Sequence, residues 1–313
     1  MNFDFSELIE SLEFKQKLRY GENPHQEAAW YNFPGKGLSN AQQLQGKDLS
    51  YNNLIDLEAA ISTVKEFQEP AVVVIKHTNP CGVAIGSDIY GALIRALDGD
   101  RISAFGGIIA LNKVVDSECA KELIGSFYEC IVAPGFTEDA KQLFESKKNL
   151  RLLQLDIDSM ETSSYTIRSI VGGILVEEKD NKPVVMDDWK TVTERKPTTQ
   201  EVVDLLFSWR VCRHVRSNAI VVARDGKTLG IGAGQMNRVG SSRIALEAKD
   251  DVSGGALASD GFFPFDDTVK KAASYGIRAI IQPGGSIKDE DSIAACNELG
   301  LTMILTGTRH FLH

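Results

Sequence analysis

The chain is poor in cysteine and shows no pattern in the few it has. Among its 313 residues, Cys81, Cys119, Cys130, Cys212 and Cys296 form no C-x-x-C pair and are odd in number. That excludes a disulfide framework and fits reduced thiols in a cytoplasmic compartment. No apolar run approaches the ~18 residues that cross a bilayer, and acidic residues stand near the amino terminus where a secretory signal carries positive charge. Basic residues are in deficit, 34 Lys and Arg against 43 Asp and Glu, and the formal charge of −9 disfavours non-specific attraction to nucleic acid or to an anionic membrane.

Several signatures are missing as well. There is no P-loop, and Gly230, Gly232 and Gly234 do not follow the G-x-G-x-x-G spacing, so nicotinamide binding carries little weight. A zinc nucleoside deaminase needs H-x-E and then P-C-x-x-C. Here His77 precedes Thr78 and Asn79, and Pro80-Cys81 precedes Gly82, Val83 and Ala84, so the zinc ligands are absent.

What is present is an α/β chain, 43% hydrophobic, long enough for two ordinary domains or one large one. Its centre is Ala71 to Gly82. Ala71–Ile75 is an uninterrupted, mostly β-branched run of the kind buried on both faces of a sheet, and it stops at Lys76-His77-Thr78-Asn79. Pro80 biases Asn79 toward extended backbone and Gly82 allows a tight turn, which places the Lys-His pair at the carboxyl end of a central strand, where open α/β sheets bind ligands. A neutral imidazole, titrating near ~6.5 in water, can accept a proton at neutrality, and an adjacent ammonium can stabilise a developing oxyanion. The pair suits acyl or formyl transfer. Cys81 as a nucleophile lacks an activating third group.

Around this centre the spacing predicts a short helix over 6–17, a polar turn over 46–53, and helices from Asp56 to Phe67, Asp88 to Leu97, Val115 to Phe127 and Thr137 to Lys148. Strands are predicted at Gly107–Leu111 and Cys130–Ala133. A polar stretch from Asp156 to Ser164 marks a domain junction. The theme then repeats: a strand at Ser169–Val176, a helix opened by the Thr198/Glu201 capping box, strands at Ala219–Ala223, Leu229–Ala233, Ile277–Gln282 and Leu301–Leu305, and a helix over Asp289–Leu299. Phe262, Phe263 and Phe265 read either as core or as a stacking wall, and Pro283-Gly284-Gly285-Ser286 as an anion or amide-edge turn. The tail from Thr306 is of the kind that frays.

Read together, Arg19-Tyr20-Gly21-Glu22-Asn23-Pro24-His25-Gln26, Lys76-His77-Thr78-Asn79-Pro80-Cys81-Gly82, Ser103-Ala104-Phe105-Gly106-Gly107, Gly232-Ala233-Gly234-Gln235, Phe262-Phe263-Pro264-Phe265 and Arg309-His310-Phe311 resemble the AICAR transformylase domain of the bifunctional AICAR transformylase/IMP cyclohydrolase family, in order and over essentially the whole chain. The resemblance implies formyl transfer from 10-formyltetrahydrofolate, as cosubstrate, to the 5-amino group of AICAR, with no metal required. It implies two tandem cytidine-deaminase-like three-layer α/β domains without zinc, residues 1–160 with the Lys-His motif and 161–313 with the folate-side motifs. It also implies a cytoplasmic homodimer with active sites at the subunit interface.

By the same resemblance His77 is the general base and Lys76 stabilises the transition state. Arg19, Tyr20, Phe105, Gly106, Glu129, Asn218, Arg238 and Arg309 match AICAR-binding positions; Val239, Phe262, Asp267, Gly285 and Ser286 match the folate side; His313 matches a terminal histidine near the site. Only 18 residues precede Arg19 where the family carries a cyclohydrolase domain, so IMP ring closure is expected from a separate cyclohydrolase. The competing readings are a non-catalytic nucleotide or folate binding module and a deaminase-like hydrolase.

Overall fold

Ala71–Ile75 forms the strand its composition predicts, and all five residues are 0% exposed. Burial of each Val or Ile side chain in this run contributes ~1.5–3 kcal/mol, so the strand that delivers Lys76 is among the most firmly held parts of the molecule. A computed structural model describes residues 9–313. In the first half the elements are β1 (Glu13–Leu18), β2 (Ala28–Asn32), β3 (Gln42–Gln45), α1 (Tyr51–Val64), β4 (Ala71–Lys76), β5 (Asn79–Ile85), α2 (Ile89–Leu97), α3 (Arg101–Ala104), β6 (Ile108–Leu111), α4 (Ser117–Ile124), β7 (Cys130–Ala133), α5 (Glu138–Phe144) and β8 (Arg151–Gln154). After a two-stranded hairpin, β9 (Tyr165–Ile170) and β10 (Gly173–Glu178), come β11 (Lys190–Thr191), α6 (Thr199–Cys212), β12 (Ile220–Arg224), β13 (Lys227–Gly232), α7 (Arg238–Glu247), β14 (Ala256–Ser259), α8 (Asp267–Ser274), β15 (Ala279–Gln282), α9 (Asp289–Glu298) and β16 (Thr302–Leu305).

One twelve-stranded sheet runs through the molecule in the order β11-β16-β15-β14-β12-β13-β5-β4-β6-β7-β8-β3. Its two halves repeat one plan. A helix leads into an antiparallel hairpin (β4–β5, β12–β13), and three mutually parallel strands follow, the first antiparallel to the leading hairpin strand. The halves meet antiparallel where β13 pairs β5, Lys227 opposite Ala84.

Helices cover both faces. On one face α1 and α6 share a single apolar cluster that crosses the seam, with Leu57, Ile61 and Phe67 packed among Leu205, Phe207 and Trp209. On the other face each half keeps its own cluster, around Leu93, Leu123 and Phe144 in one and Leu246, Val269 and Met303 in the other. Gly230 and Gly232, whose spacing superficially suggested a nucleotide loop, admit helix α7 instead: a Cβ on either would stand about 2 Å from the carbonyl oxygen of Ala245 or Ser241.

The structure corrects several expectations. Glu13–Leu18 is a strand, not the body of a helix, because its residues pair across a ladder with β2; residues 6–8 of that expected helix lie outside the described ones. Helix α1 begins at Tyr51, not Asp56, since Ser50 and Asn53 form a reciprocal capping box. The tight turn lies at His77–Thr78 rather than at Gly82, and Pro80 and Gly82 are strand residues of β5. Ser169–Val176 is not one strand but the tip of the β9–β10 hairpin. Of the three phenylalanines at 262–265, only Phe263 is core, while Phe262 and Phe265 are 41% and 62% exposed.

The strand registers bring the motifs to one rim. Ile75 lies opposite Ile108, Ile108 beside Cys130, and Cys130 beside Arg151, so the end of β4 aligns with the starts of β6, β7 and β8. Beyond the seam the start of β12 aligns with the ends of β13 and β14, through Ile220 opposite Gly232 and Ser259. The Arg216 N–H donates to Asn79 Oδ1 at 3.0 Å and ties the two stretches of rim together.

Candidate active site

Residues Lys76 to Asn79 form a two-residue hairpin turn with both central residues left-handed, His77 at φ 50° and Thr78 at φ 61°. Such turns favour Asn, Asp and Gly, because a Cβ at positive φ crowds the backbone, at a cost of roughly 1–2 kcal/mol per residue. Neither His nor Thr relieves that crowding. The equivalent turn of the second half, between β12 and β13, has nearly the same backbone, Asp225 at φ 55° and Gly226 at φ 67°, built from residues that adopt it readily.

The strained turn is held from three sides. The Thr78 N–H donates to Asp56 Oδ1 of α1 at 2.7 Å. The His77 carbonyl accepts from Thr78 Oγ1 at 2.7 Å and Asn79 Nδ2 at 3.1 Å, and Arg216 reaches across the seam to Asn79. Lys76 Nζ donates to the Phe105 carbonyl at 2.8 Å, beside Gly106, whose φ of 68° and missing Cβ leave the ammonium its place.

The turn opens on a cleft of about 510 Å³, within the ~300–1,000 Å³ range of small-molecule sites. Lys76, His77, Arg19, Tyr20, Gly106 and Glu129 line it, all of them singled out in the sequence. Arg19 is exposed and stands over the Tyr20 ring at 4.6 Å while donating to its hydroxyl at 2.7 Å, so the guanidinium is presented at the mouth of the cleft with most of its donors open. Phe105 is 60% exposed against Phe127, with ring centroids 5.4 Å apart, and flanks Lys76.

Arg151, Asn53 and Asp56 are among the lining residues that the sequence reading did not assign to the site. Arg151 is buried and donates to Glu129 Oε2 at 2.7 Å and to the Asp48 carbonyl at 3.1 Å, fixing the carboxylate at the base of the wall. Its only signal was a charge opening an apolar run. Asn53 joins the α1 cap, and Asp56 projects from the same helix one turn on. Burial pushes the Asp56 carboxyl above its ordinary range, although the Thr78 hydrogen bond and the charges of His77 and Lys76 pull the other way. Burial, with the Asp100 charge, raises the Cys81 thiol to about 12, which removes the thiolate a nucleophile would need.

The second-half residues do not line this cleft. Asn218 donates from Nδ2 to the Gln235 carbonyl at 2.8 Å and accepts at its own carbonyl from Ser241 Oγ at 2.7 Å. Arg238 is turned inward, paired with the buried carboxylate of Asp260 and donating to Ser259 Oγ at 3.0 Å. Val239, Phe262, Asp267 and Gly285 are exposed and Ser286 is half-buried on the same rim, beyond the seam. The tail is anchored rather than frayed: His310 is buried and paired with Asp180, its ring 5.4 Å from that of Trp209, and the Leu312 carbonyl accepts from the Ser217 N–H at 2.9 Å. This anchoring holds Arg309 over the Phe311 ring at 4.2 Å and places the His313 carbonyl against Arg168. Among the described residues no three His, Cys, Asp or Glu side chains stand together as metal ligands, and no helix is long and apolar enough to cross a membrane.

Comparison with known proteins bears on what such a cleft serves. The chain is 61% identical to the bifunctional purine biosynthesis protein PurH of Prochlorococcus marinus (strain NATL1A), over 97% of this chain and 61% of that protein. It is 59% identical to PurH of Synechococcus sp. (strain CC9311), over 97% of this chain and 60% of that protein. The chain thus spans about three fifths of the length of the curated relatives it matches. Among solved structures, Acinetobacter baumannii RibD, form 2, aligns over 31% of this chain and 32% of its own at 14% identity with a TM-score of 0.23, too slight a likeness to compare folds. The AICARFT/IMPCHase bienzyme family matches residues 2–248, and with relatives of this identity along nearly its whole length the chain belongs to that family.

Proposed function

We propose that the chain transfers the formyl group of 10-formyltetrahydrofolate to the 5-amino group of AICAR, in the synthesis of purines. The observation that carries this reading is the convergence of Arg19, Tyr20, Lys76, His77, Gly106 and Glu129 on one cleft in a chain of this family. The AICAR amine is a weak nucleophile because its lone pair is conjugated with the ring and carboxamide. As its nitrogen attacks the formyl carbon, His77 takes the proton, Lys76 faces the oxygen that becomes anionic, and the bond to folate N10 breaks as N10 gains a proton. Arg19 suits the phosphate through its planar fork of donors.

Asn218, Arg238 and Arg309 are assigned to AICAR, Val239, Phe262, Asp267, Gly285 and Ser286 to folate, and His313 to the vicinity of the site. The inward pairing of Arg238 with Asp260 favours a role for it in shaping the rim. Because these residues stand outside the cleft while sharing its rim, we read the complete site as formed between two copies of the chain in a cytoplasmic homodimer. The two halves are read as cytidine-deaminase-like units, on the strength of their repeated strand and helix order.

The test follows tetrahydrofolate release spectrophotometrically on mixing protein, AICAR and 10-formyltetrahydrofolate, beside His77→Ala. Removing a general base should cost roughly 10²–10⁴-fold in rate. Folded wild-type protein that binds AICAR and forms no formyl-AICAR would overturn the proposal. Light scattering reads the oligomeric state, and the products show whether formyl-AICAR accumulates or passes on to IMP.

A further inference from the structure

We infer that Asp56 is a positioning residue for the catalytic turn: its carboxylate oxygen, carried on the rigid helix α1, anchors the Thr78 N–H and thereby keeps His77 in the left-handed conformation that aims it into the cleft. Among the described residues no other side chain accepts from that N–H. The Asp56 Oδ1 contact spans 22 residues of sequence at 2.7 Å. The next residue, Leu57, is 0% exposed in the cluster shared by both halves, and Ser50 caps the start of the helix, so the acceptor sits on an element with little freedom to drift. The turn needs such a hold, because His77 at φ 50° and Thr78 at φ 61° would relax toward ordinary backbone without it. A hydrogen-bond acceptor is what the geometry requires, not a charge. The burial that disfavours ionisation of Asp56 is consistent with that.

The inference rests in part on the proposed formyl transfer, and the test separates the two. Asp56→Ala removes the acceptor, while Asp56→Asn keeps an oxygen in the same place and removes the charge. For Asp56→Ala we expect kcat for formyl transfer to fall by roughly 10- to 100-fold, the scale of a small misplacement of a catalytic group, with KM for AICAR little changed. Asp56→Asn is expected to recover most of that loss. Amide hydrogen exchange at Thr78 supplies a readout independent of activity: protection falls in Asp56→Ala and persists in Asp56→Asn. Should Asp56→Ala fail to fold, Asp56→Ser, polar but too short to reach Thr78, takes its place. An Asn variant as impaired as Ala in both readouts, or an Ala variant with unchanged kcat and Thr78 protection, overturns the inference. If wild-type protein shows no formyl transfer, the proposed function falls while Thr78 exchange still decides the anchor.

Discussion

At the scale of residues, the chemistry proposed for Lys76 and His77 sits on backbone that the side chains of its turn disfavour. The turn at Asp225–Gly226 shows the same conformation made from residues that adopt it at little cost, so folding alone does not call for His77–Thr78 at this place. Replacing His77 by Asn together with Thr78 by Gly should therefore raise stability, by about 1 kcal/mol once the extra flexibility of glycine in the unfolded chain is set against the relieved crowding. The same change should abolish the proposed formyl transfer. Thermal denaturation beside turnover checks both, and a double variant less stable than wild type would show that the turn is not strained. This also explains why the turn was illegible in the sequence. Asn-Gly or Asp-Gly announces a two-residue hairpin turn, whereas His-Thr followed by Pro80 and Gly82 points to a turn further on. Lys76 and His77 were legible because five apolar residues end at them; Asp56 and Arg151 were not, because a lone charge at the edge of an apolar stretch reads as solvated.

At the scale of elements, helices α1 and α6 decide whether the two halves act as one. Phe67 and Phe207 meet across the seam with ring centroids 5.3 Å apart, both nearly fully buried. Phe67→Ala is expected to lower stability by roughly 3–5 kcal/mol, the usual cost of removing a buried phenylalanine. Because the cluster belongs to both halves, unfolding in urea should remain a single transition read by any probe; two separated transitions would mean that the halves hold together independently. The alternation of strands and helices was readable from periodicity. The strands at Glu13–Leu18 and Arg151–Gln154 were not, the first being polar on an exposed hairpin and the second apolar only at its two middle residues.

At the scale of the whole molecule, the pairing of His310 with Asp180 helps fasten the tail to the body. Burial raises the Asp180 carboxyl, but the hydrogen bond and charge of His310 together with the charge of Arg213 more than reverse this and hold it below its ordinary range. The unfolded chain then binds more protons than the folded one in the interval between the two values. The stabilisation from Asp180 is complete above the ordinary carboxylate value of about 3.9 and is lost as pH falls through the lower folded value. Asp180→Asn should accordingly be less stable than wild type at neutral pH, with the gap closing on acidification below about pH 4. Urea denaturation across a pH series measures the gap, and hydrogen exchange over residues 306–313 locates it; a gap that widens in acid would refute the assignment.

The antiparallel seam between β5 and β13 bears on ancestry as well as architecture. If the two halves descend from one duplicated unit, the inversion carried the two matching turns to opposite rims of the sheet. No later mutation could make them serve a single cleft side by side. In that case only the turn at His77 opens on the cleft, and the second half meets the same rim with strand ends and loops instead. The way the halves are joined, and not the choice of side chains, would then set which of the two turns faces the cleft.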